Sequence, residues 1–109
     1  MNELNRLIEV FENLIKDGFN LNQLMKWNFY FSDKNKETLV QVINELEGFD
    51  YTASIKLENQ FYILTTSKIE ILSPEKLYNR ILAFNKLILY LNGYSFDGWD
   101  VEYPTGARL

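Results

Sequence analysis

Residues 25–32 read Met25-Lys26-Trp27-Asn28-Phe29-Tyr30-Phe31-Ser32, and their alternation decides the fold. Met25, Trp27, Phe29 and Phe31 fall on one side of an extended chain, and Lys26, Asn28, Tyr30 and Ser32 on the other. Side chains of a strand alternate between its two faces, so this stretch is a strand with one face in a core. Three large aromatic residues on that face fix which side is buried.

Moving outward, the period changes to that of a helix over about 34–47, where Leu39, Val42, Ile43 and Leu46 form a stripe. Ser32 or Asp33 suits its N-cap, and Gly48 its stop. Alternation returns over 49–57, with Tyr51, Ala53, Ile55 and Leu57 on one side, and Glu58-Asn59-Gln60 predicts a hairpin turn. The segment 61–69 is a third strand, rich in aromatic and β-branched residues. Ser73-Pro74 opens a second long helix that carries Leu77, Ile81, Phe84, Ile88 and Leu91 inward and stops at Asn92-Gly93. A final strand over about 98–103 sets Trp99, Val101 and Tyr103 against Asp100 and Glu102. Upstream, Leu4, Leu7, Ile8, Phe11, Leu14 and Ile15 predict an amphipathic helix over 3–17.

The expected fold is therefore α+β: a ferredoxin-like β-α-β-β-α-β order, a four-stranded antiparallel sheet with two helices on one face, preceded by an extra N-terminal helix. The chain is expected to be one domain over 1–109, with 1–19 as a helical extension and 25–103 as the sheet domain. The stripe on the first helix requires cover. The open face of the sheet is the expected seat, with a homodimer through this helix or a partner as alternatives. The tail from Tyr103 to Leu109 is expected to be a loose end.

The composition narrows the chemistry. The 109 residues contain neither cysteine nor histidine. That removes disulfides, thiolate nucleophiles, the commonest general base and the commonest transition-metal ligand. No cofactor is expected. A net charge of −4 opposes direct binding to phosphate backbones. No apolar run approaches the ~18 residues of a membrane span, and the first residues lack the apolar core of a signal peptide. The cytoplasm is the expected location, and the chain is expected not to be an enzyme.

Two local patterns carry a family resemblance: the aromatic strand Trp27-Asn28-Phe29-Tyr30-Phe31, and Tyr94-Ser95-Phe96-Asp97-Gly98-Trp99 after the second long helix. Over about residues 25–103 the chain resembles the ribonuclease E inhibitor B (RraB-like) family, which has a Tyr-Asp-Gly-Trp-type segment at its last strand. Here Phe96 stands in the Tyr place. The helix at 3–17 is not part of the resemblance. The resemblance implies a noncatalytic protein that binds an endoribonuclease and restrains RNA turnover. An immunity protein that neutralises a toxin nuclease is the alternative, and a small-ligand-binding domain or enzyme is the third reading.

Asp97, Asp100 and Glu102 form the densest group of carboxylates. Hard cations prefer oxygen ligands, but no calcium-loop ladder of Asp and Asn accompanies these three. Packing is the simpler reading: Gly98 permits a tight turn, Asp97 caps it, and Trp99 anchors the strand. The aromatic strand could stack RNA bases, but its aromatics point at the helices and only Tyr30 points out. The surface expected to meet a protein partner comprises Tyr30, Asp50, Tyr62, Asp97, Asp100 and Glu102. Reversing Asp100 and Glu102 to Lys is expected to leave folding intact.

Overall fold

The alternating stretch becomes β1 (Met25–Asp33), a central strand of the computed structural model, which describes residues 2–104. The other elements are α1 (Glu3–Lys16), α2 (Lys36–Glu45), β2 (Thr52–Glu58), β3 (Phe61–Glu70), α3 (Pro74–Tyr90) and β4 (Ser95–Glu102). The expectation for the tail beyond Pro104 lies outside the described residues.

β1 pairs antiparallel with β3 from Met25↔Glu70 to Asp33↔Tyr62, and with β4 on its other side. β2 pairs antiparallel with β3, giving the order β2-β3-β1-β4. β1 and β2 thus run parallel with β3 between them, and β3 and β4 run parallel with β1 between them. The β2–β3 hairpin closes through Asn59 (φ 50°) and Gln60 (φ 73°), the double positive φ that matches strand twist in a two-residue turn.

Two boundaries differ from the sequence expectation. The N-cap of α2 is Asn35, whose side chain accepts from the Glu37 amide, and not Ser32 or Asp33. β1 runs on to Asp33 opposite Tyr62, which pushes the cap two residues downstream. Asp33, buried at 8% exposure, instead accepts from the amides of Asn35 (2.8 Å) and Tyr94 (2.9 Å). It thereby ties the end of β1 to the chain leading into β4. β4 itself begins at Ser95 and not at Gly98. Phe96 packs on Phe31 and Phe84, and Trp99 on Trp27 and Phe11. Two residues three apart face the same side only if the strand carries an extra residue. The pairing shifts between Tyr30↔Gly98 and Phe31↔Phe96, and Gly98 takes φ +119° there.

Trp27, Phe29 and Phe31 are fully buried. Phe84 of α3 meets Phe29 and Phe31 edge-on at 5.0 and 5.2 Å, contacts worth about 0.5–1.5 kcal/mol each beyond area burial. Leu39 and Val42 of α2 complete the same core. Arg80 of α3 grips Glu70 of β3 through two bonds of 2.7 and 2.9 Å and donates to the Tyr51 hydroxyl at 2.7 Å. This clamp fastens α3 to the sheet.

The largest correction concerns α1, which does not lie on the open face of the sheet. Phe11 stacks on Trp27 at 5.8 Å and contacts Trp99 at 6.5 Å. Trp27 and Trp99 project from the side that carries Phe29 and Phe31, so α1 shares that side with α2 and α3 and runs beside α3. The physical reason is that α2 and α3 leave the Trp27–Trp99 end of the core uncovered, and two indoles exposed there outweigh any gain on a polar face. Leu7 and Phe11 are buried members of the one core, and the homodimer through this helix loses its motive.

Candidate functional site

With three helices on one side, no element among the described residues covers the other face of the sheet. Register places Lys26, Asn28, Tyr30 and Ser32 of β1 there, flanked by Thr65, Ser67 and Ile69 of β3, Thr52, Ser54 and Lys56 of β2, and Asp100 and Glu102 of β4. This surface is hydroxyl-rich, with Ile69 (52% exposed) as its exposed large apolar side chain.

A hydrogen-bonded ladder crosses three strands at its centre. The Ser67 hydroxyl donates to Asn28 Oδ1 (2.6 Å), and Asn28 Nδ2 donates to Asp100 Oδ1 (2.7 Å). The Tyr30 hydroxyl donates to Asp100 Oδ2 (2.7 Å). Lys26 Nζ lies 3.5 Å from Glu102 Oε1 beside it. Asn28 and Ser67 are nearly inaccessible, so their polar atoms must be satisfied within the protein, and they are. The Tyr30 hydroxyl is pushed up to about 12, first by burial and then by its bond to Asp100 and the charges of Asp100 and Glu102. It is therefore held as a donor. The ladder locks Asp100, so reversing that residue would strip partners from Asn28 and Tyr30, contrary to the expectation of a silent change.

The six expected contact residues do not form one cluster. Tyr30, Asp100 and Glu102 share the bare face. Asp50 sits at its rim with φ 66°, beside a shallow hollow that also touches Lys26, Thr52 and Ser67. Tyr62 projects to the helix side and packs on the core edge. Asp97 is exposed at the bulge and accepts from the Ser95 hydroxyl, with Gly98 next to it and Trp99 half-buried behind. Sequence reasoning missed Asn28, Ser67 and Lys26 as members of the site. Their only signal was membership of the polar half of each alternation, which gains meaning once the register is known.

The face offers hydroxyls, an amide, two carboxylates and two lysines, a set suited to hydrogen-bonded and charged contacts with another protein. Among the described residues no group of three His, Cys, Asp or Glu comes close enough to hold a metal ion, and no helix is long and apolar enough to cross a membrane.

No curated protein and no solved structure matches the chain. The family model described as "Regulator of ribonuclease activity B" matches residues 5–101. This span takes in α1 from residue 5, so the family likeness does not start near residue 25 as the two local patterns implied. The helix that supplies Leu7 and Phe11 to the core is thus part of what is shared, and the chain belongs to the RraB family, regulators of ribonuclease activity B.

Proposed function

We propose that this chain is a noncatalytic regulator that binds a ribonuclease in the cytoplasm and restrains its activity through the bare face of the sheet. The observation that carries the reading is the union of Tyr30, Asp100 and Glu102 on a face that no helix covers. The family adds the class of partner. A ferredoxin-like arrangement, with each parallel strand pair split by a strand of the other, is the fold reading that accompanies it. A rigid, pre-satisfied ladder suits recognition, because its donors and acceptors are already oriented and little ordering remains to be paid on contact. Carboxylates at the rim would steer a basic ribonuclease surface and act mainly on association rate.

The test begins with affinity capture from the native cell on immobilised chain, with bound proteins identified by mass spectrometry. It continues with RNA cleavage by the captured ribonuclease in the presence and absence of the chain. The expected outcome is capture of a ribonuclease whose cleavage slows as the chain is added. Capture of no ribonuclease, or cleavage that does not change, would remove this function.

A further inference from the structure

The two edges of the sheet are built differently. β4 carries the bulge at Asp97-Gly98, and it projects the carboxylates of Asp97, Asp100 and Glu102. Bulges and charges are the devices that keep an edge strand from pairing with another chain. β2 carries Lys56 and Glu58, which pair with each other, but it has no bulge and no proline: its seven residues pair without interruption from Thr52↔Ser67 to Glu58↔Phe61. Every second residue on its outer edge therefore directs an N–H and a C=O away from β3. Its apolar side is only partly covered, because α2 packs over β1 and β3 and only Ile55 reaches the core. Ala53 is exposed, Ile55 partly so, and Leu57 64% exposed.

We propose that β2 pairs antiparallel with β2 of a second copy, about a two-fold axis at Ile55, to make one sheet continuous across a homodimer. The sequence Thr52-Ala53-Ser54-Ile55-Lys56-Leu57-Glu58 is self-complementary in that register. Ile55 faces its own copy, and Ala53 faces the second copy's Leu57, a small side chain against a large one. On the polar side Ser54 faces the second copy's Lys56, and Thr52 its Glu58. No like charges stand opposite one another, and each Lys56 is already met by its own Glu58 at 3.1 Å. A register centred one residue later would set Lys56 against its copy, so charge excludes that pairing, and the Ile55-centred register is the one that pairs all seven residues of β2. An isologous interface of this kind closes at two copies. It leaves the ladder at Tyr30 and Asp100 free on each copy, and it does not depend on the ribonuclease reading.

The chain has no cysteine, so the Ile55→Cys variant carries a single thiol. A short bismaleimide linker is expected to join two I55C chains into a dimer while leaving Glu102→Cys chains, labelled on the opposite edge, unjoined. Light scattering on the purified wild-type chain should approach twice the monomer mass as concentration rises. Leu57→Lys, a change at an exposed side chain, should raise the dimer dissociation constant about tenfold or more. A wild-type mass that stays monomeric at every soluble concentration would overturn the proposal. So would E102C joining as readily as I55C, or L57K dimerising like the wild type.

Discussion

Tyr30 shows how much of a residue's role depends on its neighbour across the sheet. Alternation alone places it on the polar side of β1, but its donor role comes from Asp100, seventy residues away in the chain. Because the folded protein holds the Tyr30 proton up to about 12 against an ordinary 10.0, the unfolded chain releases it first on alkalinisation. The stabilising contribution is complete below pH 10 and is lost as the pH rises through about 12. Denaturant midpoints measured across that alkaline window should fall more steeply for the wild type than for Tyr30→Phe, and that variant should lose part of the late phenolate absorbance while Tyr51, also pushed up by burial, keeps its share. Near neutral pH the same variant should lose about 0.5–1.5 kcal/mol, one hydrogen bond's net worth. Two glycines separate sterics from backbone strain. Gly98 has open space where a Cβ would sit, but its φ of +119° is costly for any other residue. Gly98→Ala should destabilise by about 1–3 kcal/mol with no neighbouring change able to relieve it. Gly93 has an ordinary φ, but an added Cβ would come within 3.0 Å of Ile88 Cδ1 and 3.2 Å of Thr38 Cγ2. Gly93→Ala should therefore destabilise the fold and be partly rescued by Ile88→Val, which removes the nearer methyl; thermal melts of the single and double variants would show this.

At the scale of elements, most of the helices and strands follow from periodicity and caps. Ser73 accepts from the Lys76 amide and Pro74 occupies the first turn of α3, as the Ser-Pro pair predicts. The placement of α1 does not follow in that way. A stripe of apolar residues states that a helix must be covered and is silent on what covers it, since the hydrophobic effect has no direction. The buried Leu7 and Phe11 make α1 part of the core. Phe11→Ala should cost about 3–5 kcal/mol in chemical denaturation. It should also shift the tryptophan emission of the folded state toward that of solvated indole, because Trp27 and Trp99 lose the ring between them and water. A chain starting near Asn20 should expose both indoles and aggregate.

At the scale of the molecule, one side of the sheet packs against the helices and the other is uncovered by any element among the described residues. If the bare face meets the ribonuclease, Glu102→Lys should slow association measured by surface capture, with the difference shrinking as salt rises. Glu9→Lys and Glu12→Lys, on the exposed side of α1, should leave association unchanged. The amino-acid sequence by itself determined the order of elements, the buried side of β1, the turn at Asn59-Gln60 and the absence of thiol and imidazole chemistry, because each is a local or compositional property. Only the tertiary structure decided which strands are neighbours, that a bulge brings Phe96 and Trp99 to one side, that α1 joins the helical layer, and that Ser67, Asn28, Asp100 and Tyr30 form a single ladder. Those outcomes rest on contacts between residues far apart in the chain, where burial of whole aromatic surfaces and pairing of buried polar groups outweigh local preference.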